Sequence, residues 1–155
     1  MSQKKRIPAF VTGEKICYFF PVEDETPKDS LTSKAYELSF DHRPEYLYVF
    51  VTGEKDSYEI SRQYWSEIAG ECKKTSCKKV LIEEDLKENV SMPDMYRFAS
   101  EILHLGFVGI RVAFFDRRQD QHQLNQFGET VATNRGLFSR VFDNFEEAEK
   151  WLLSE

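Results

Sequence analysis

Two short apolar runs, Val80-Leu-Ile82 and Gly109 to Phe115, stand on either side of a capped helical pattern. That alternation restricts the fold more than any other feature of the chain. Val80-Leu-Ile82 lies between Lys78-Lys79 and Glu83-Glu84-Asp85 and has no polar face of its own, so it belongs in a sheet covered on both sides. Gly109 to Phe115 is a second buried strand, interrupted once, at Arg111. Between them, Ser91 stands three residues ahead of Asp94 in capping position. Met92, Met95, Tyr96, Ala99, Ile102 and Leu103 then follow a 3-4 spacing that Gly106 closes. A strand, a helix and a strand in this order make a parallel pair joined by a right-handed crossover.

The rhythm extends both ways from this unit. Upstream, "YELSF" and "YLYVFVT" flank the turn "DHRPE" and predict a hairpin. Asp56, three residues before Glu59, is placed to cap a helix whose stripe is Ile60, Tyr64, Ile68 and Cys72, with Trp65 and Ala69 beside it. Downstream, a helix is expected from about Gln119 to Asn134, with Leu124, Phe127 and Val131 inward and Gly136 at its end. "LFSRVF" is a short strand. Asn144 and Glu147 repeat the capping spacing ahead of Phe145, Ala148, Trp151 and Leu152. The predicted order is β-β-α-β-α-β-α-β-α, an α/β fold with a mixed, mostly parallel sheet flanked by helices.

Residues 1–35 fall outside that rhythm. "VEDETPKDSLTS" is acidic, rich in Ser and Thr and carries Pro27, as a linker would. Before it, "RIPAFVT" and "KICYFF" flank Gly13-Glu14, a signal for a small hairpin with Gly first in the turn. The string "FVTGEK" occurs at Phe10 and again at Phe50, yet no residues beyond the six match, so a tandem duplication is not supported. The expected organisation is an N-terminal extension (1–35) and one domain (36–155). Tyr18, Phe19 and Phe20, if unpacked, make the extension a site of partner binding or homodimerisation.

Composition narrows the function classes. The 155 residues are 41% hydrophobic and 31% charged, the profile of one globular domain. A net charge of −6 argues against a nucleic-acid surface, which needs clustered Lys and Arg. No apolar run approaches the roughly 20 residues of a membrane span, and Ile7 to Phe20 is too broken for a signal peptide. Three scattered cysteines suit a reducing cytoplasm, with Cys72 and Cys77 read as small apolar residues rather than a CxxC pair. His42, His104 and His122 are scattered, so no metal site or other cofactor is expected, and no Gly-x-Ser-x-Gly elbow is present.

From Tyr36 to Leu153 the chain resembles the SpoIIAA-like family of the STAS superfamily, which includes anti-sigma-factor antagonists. The segments that carry the resemblance are "YELSFDHRPEYLYVFVTGE", "KKVLIEED", "FGETVATNRG" and "VFDNFEEAEKWLL". The resemblance implies a bacterial cytoplasmic β/α module, non-enzymatic, that works through a protein partner, such as a regulatory kinase or sigma regulator, or through a small ligand. In the antagonists a Ser in an Asp-Ser-x-Gly motif is phosphorylated at the helix start after the third strand. Ser91 holds that place here, but the motif itself is absent from "EEDLKENVSMPDMY".

Three groups of residues are therefore candidates for binding. Ser91 and Asp94 open a helix, where a phosphate would meet free amides, although an N-cap is the commonest use of such a Ser. Glu84 and Asp85 follow one strand and Asp116 and Arg117 another, and the carboxyl ends of parallel strands line the ligand crevice in open sheets. These carboxylates could instead serve a metal-dependent enzyme, and the space between helices and sheet could carry a small apolar molecule. Glu129 and Arg135 flank Gly128, whose presence inside a helix costs roughly 1 kcal/mol against Ala and signals close packing or backbone approach to another group.

Overall fold

The chain divides into two units, Met1–Ser33 and Lys34–Glu155, and the computed structural model describes residues 34–155. The expected N-terminal hairpin, the acidic linker, the first "FVTGEK" and the dimer contact through that segment all lie outside the described residues.

β1 (Tyr36–His42) and β2 (Leu47–Gly53) form the expected antiparallel hairpin, with Tyr36 opposite Gly53 and His42 opposite Leu47. β3 (Lys79–Leu86), β4 (Arg111–Asp116) and β5 (Phe138–Phe142) add in parallel, giving the order β1-β2-β3-β4-β5. Each crossover advances one place in the same direction, so crossovers of one hand lay all their helices on the same face. α1 (Tyr58–Thr75), α2 (Met92–Glu101) and α3 (His122–Thr133) occupy that face. α4 (Phe145–Leu153) follows the last strand and packs on the other, over Leu81, Ala113 and Phe142. The expected order of elements is the observed one.

The second "FVTGEK" ends a strand, as expected, because Gly53 closes β2. A Cβ on Gly53 would stand 2.8 Å from the Ala35 carbonyl oxygen, so the glycine lets β1 start flush against β2. The helix after it begins one residue later than predicted. Ser57, not Asp56, is the N-cap of α1, and its hydroxyl accepts from the Ile60 amide at 3.1 Å. An Asp-Ser pair offers two capping side chains to one helix start, and taking the second leaves the first free to turn inward.

The α1 stripe is as predicted, with Ile60, Tyr64, Trp65, Ile68, Ala69 and Cys72 all buried. Trp65 joins the layer together: its ring lies 5.8 Å from Phe98 of α2, 5.3 Å from Phe107 and 6.1 Å from Phe114 of β4. α2 departs from expectation. Met92 and Tyr96 are exposed, and Phe98 and Ala99, joined by Ile102 in the 3-10 turn that follows, are the buried set. A ten-residue helix lying in a groove can bury only a narrow stripe, and the bulk of Phe98 directs which side that is. α3 starts at His122 after a 3-10 turn over Gln119–Gln121 and buries Asn125, Gly128, Val131 and Ala132, while Leu124 and Phe127 stay partly exposed.

Alternation along β3 divides its residues between the faces. Val80, Ile82 and Leu86 join the core beneath α1, α2 and α3, whereas Leu81 joins the core beneath α4. The two adjacent glutamates that follow inherit this division.

Candidate functional site

At the carboxyl end of β3 the apolar pattern gives way to acids without a change in burial: Glu83 is 7% exposed and Glu84 4%. They point to opposite faces of the sheet. Glu83, toward α4, receives the Tyr48 hydroxyl and pairs with Arg117 Nε at 2.6 Å. Arg117 also lies over the Phe50 ring, 4.5 Å from its centroid, and Arg118 pairs with Asp85 at 3.1 Å. Both arginines after β4 are thereby spent on the β3 acids of that side and edge.

Glu84, on the other face, has no such partner among the described residues. It sits beside Asp116 in the β3–β4 register, and Asp56 reaches the same place from the loop after β2. Tyr64 of α1 donates its hydroxyl to Glu84. Asp116 accepts from the Arg118 amide at 2.7 Å and from Asn125 Nδ2 at 2.8 Å. Asp56 accepts from the Ser57 amide at 2.7 Å and the Ser61 hydroxyl at 2.8 Å. Among the described residues, none of these three carboxylates is in an ion pair.

Removal from water favours the neutral acid, and each nearby carboxylate adds to that preference. Burial first, then repulsion from Asp56 and Asp116, pushes the Glu84 carboxyl well above the usual carboxylate range. Burial lifts Asp56 to about 6 against the opposing hydrogen bonds of Ser61 and Ser57. Asp116 is raised as well, chiefly by burial, with the Arg118 amide and Asn125 holding it down.

Over this acidic floor lies a cavity roofed by α1, α2 and α3. Asp56, Glu84, Asn125 and Glu129 are among its polar residues, with Ser61, Asn89 and Ser139, and Trp65, Phe98 and Ala132 are among its apolar ones. It offers about 60 Å³ to the centre of a water molecule, where one water needs roughly 10–15 Å³ on that scale. A few heavy atoms fit, and a long acyl chain does not. Gly128 lines the same cavity, and a Cβ there would meet Met95 Sδ at 2.6 Å. Its smallness thus serves the close approach of α3 to α2.

The sequence-predicted residues fall into separate places. Glu84 and Asp116 do share one site. Asp85 and Arg117 do not reach it, because strand alternation and pairing turn them toward the α4 side and the edge. Glu129 lines the cavity, but its carboxylate is taken by the Val141 amide at 2.6 Å, closing part of the free edge of β5. Arg135 is remote from the acids; it donates to the Val131 carbonyl at 3.1 Å and the Tyr96 hydroxyl at 3.2 Å. Ser91 caps α2 by accepting from the Asp94 amide at 3.3 Å, on the exposed rim. No three His, Cys, Asp or Glu side chains among the described residues are gathered tightly enough to hold a metal ion.

Asp56, Tyr64 and Asn125 belong to the site and were missed as site residues. Asn125 carried a readable signal: it lies three residues before Gly128 and seven before Ala132, a polar side chain on the buried face of its helix.

No protein-family model and no curated protein matches the sequence. Solved structures do. The chain is similar to an anti-sigma factor antagonist from Mycobacterium paratuberculosis, with a TM-score of 0.52 and 11% identity over 79% of this chain and 97% of that one. The fold is SpoIIAA-like. Two further structures align with lower scores. One is an uncharacterized protein with a SpoIIAA-like fold from Shewanella loihica, at 15% identity and a TM-score of 0.47, covering 76% of this chain and 94% of that one. The other is phosphorylated SpoIIAA from Bacillus, at 11% and 0.45, covering 74% and 99%. The SpoIIAA-like sheet with three helices on one face is what brings Asp56, Glu84 and Asp116 to one end of one layer.

Proposed function

We propose that this domain is a non-enzymatic regulatory binding module of the bacterial cytoplasm that acts on a protein partner through the outer face of α2. The observation that carries the reading is the pair Met92 and Tyr96, one turn apart and 61% and 51% exposed. Large apolar side chains aligned at i and i+4 in water, rimmed by charge, mark an interaction surface more than a stabilising one. Arg135 lies 5.4 Å from the Tyr96 ring centroid and supplies such a rim. Ser91 stands at the start of the same helix. The name of the mycobacterial structure makes that protein an antagonist of an anti-sigma factor, and a partner of this kind, a sigma regulator or its kinase, suits the α2 face here.

Affinity capture from cells of the source organism tests the reading, with wild type, Met92→Asp/Tyr96→Asp and Gln123→Asp compared side by side. Gln123 is exposed on α3 and serves as the control outside α2. A partner retained by wild type and Gln123→Asp but lost by the double variant supports the proposal, and identical partner sets for all three overturn it. Ser91→Asp against Ser91→Ala separates a phosphoswitch from a plain cap, since equal capture by both leaves Ser91 as an N-cap alone.

A further inference from the structure

We propose that the cavity beneath α1, α2 and α3 is a binding site for a cationic group, an ammonium or guanidinium on a short apolar stem, received by Glu84 with Asp56 and Asn125. This goes beyond the α2 surface and uses a different part of the fold. Three observations converge on it. First, Asp56, Glu84 and Asp116 share one layer with no cation among the described residues paired to them, because Arg117 and Arg118 are bound to Glu83 and Asp85. Buried charges ordinarily come paired, and an uncompensated set is costly to keep.

Second, two side chains more than nine-tenths buried keep an acceptor oxygen in hand at the cavity wall. Glu84 is 4% exposed and receives Tyr64 on one carboxylate oxygen; the other has no donor among the described residues. Asn125 is 7% exposed and gives its amide nitrogen to Asp116, which leaves its carbonyl oxygen without a donor among the described residues. A ligand that brings only N–H donors satisfies both. An anion or an ether brings none.

Third, most of the remaining wall is apolar, with Ser61, Asn89, Glu129 and Ser139 its other polar members, and the space is short. Phe98, Ala132 and Trp65 suit a stem of a few carbons, and about 60 Å³ stops there. The ring of Trp65 adds a π surface of the kind that attracts cations. When the cation enters, a proton held by the buried carboxyl leaves to solvent, so binding is accompanied by proton release at neutral pH.

The occupant's chemistry is shared by a free amine and by a Lys or Arg side chain of another protein, and one titration series separates them. Full-length protein is titrated calorimetrically with n-butylammonium, n-butylguanidinium, n-butanol and lysine blocked at both ends, in two buffers of different ionisation enthalpy. The expected result is saturable binding of a cation with proton uptake by the buffer, at least about tenfold tighter than butanol, a gap of about 1.4 kcal/mol. Binding of blocked lysine as tight as that of butylammonium assigns the cation to a protein side chain, and binding of the free amines alone assigns it to a small molecule. Glu84→Gln abolishes the preference over butanol, and Asp56→Asn on the same wall weakens it, which keeps the test intact if the Glu84 variant does not fold. No saturation by any cation, equal affinity for butanol, or an unchanged preference in the folded variants overturns the proposal. The capture experiment on α2 is unaffected by any of these outcomes.

Discussion

Replacing Asp56 by Asn removes one charge from the acidic layer while keeping an oxygen for the Ser57 amide and the Ser61 hydroxyl, so it isolates the electrostatic cost of that layer. The folded pKa of Asp56 is raised from 3.8 to about 6, chiefly by burial. A group whose folded pKa lies above its unfolded one favours the native state while protonated in both. That advantage is lost as pH rises through the interval between the two values, here from about 4 to about 6. Two units correspond to roughly 3 kcal/mol at 1.36 kcal/mol per unit. The hydrogen bonds from Ser61 and Ser57 are already contained in that shift. The amide nitrogen that replaces the second carboxylate oxygen beside the Ser61 hydroxyl gives back about 1 kcal/mol, which leaves a gain of about 2 kcal/mol for Asp56→Asn above pH 7. In a domain of this size that raises the melting temperature by roughly 6–8 °C. Urea titrations followed by the emission of Trp65 and Trp151, repeated at pH 4.5, 5.5, 6.5 and 8, read the difference between variant and wild type. The stability gap should widen from pH 4.5 to 6.5 and then level. A gap that is flat across this range, or one that narrows as pH rises, refutes the argument that the Asp56 charge is held against a desolvation penalty.

Other substitutions address packing and reactivity. Trp65→Ala, which empties the contact among α1, α2 and β4, should cost about 3–5 kcal/mol in urea titrations followed by far-ultraviolet circular dichroism, since the variant lacks the Trp65 fluorophore. Gly53→Ala forces a methyl group against the Ala35 carbonyl at 2.8 Å and should destabilise by about 1–3 kcal/mol, seen as a lower melting temperature. Alkylation by iodoacetamide followed by peptide mass spectrometry should modify Cys77 well before Cys72, since the Cys77 thiol is lowered by the hydrogen bond from Cys72 while Cys72 is raised by that same contact and by burial.

Element order and most core positions were legible in the sequence because they depend on local patterns. The apolar run at Val80 to Ile82, the capping residues Ser91 and Asn144 and the α1 stripe each declare themselves within a few residues. The site was half legible. Glu84 and Asp116 stand at strand ends, where parallel sheets collect ligands, but which neighbour shares their face depends on strand parity. Reading Glu83-Glu84-Asp85 as one cluster hides the fact that alternate residues leave a strand in opposite directions. Asp56 was hidden by a competition between two capping side chains, Asp56 and Ser57, that only the path of the chain into α1 decides. Met92 and Tyr96 fit a helical stripe yet face solvent, because periodicity shows that a stripe exists and not how wide a groove receives it.

The division of β3 between its faces bears finally on how the sheet finds its alignment during folding. Val80, Leu81 and Ile82 are apolar on both sides, so a slip of one residue against β2 or β4 would leave that part of the core nearly as well filled. The acids cannot slip so cheaply. Moved by one place, Glu83 would lose Arg117 and turn into the closed layer, and Glu84 would turn away from Tyr64. The charged end of the strand thus acts as an index mark for the hydrophobic end, fixing by mismatch what the greasy residues leave degenerate.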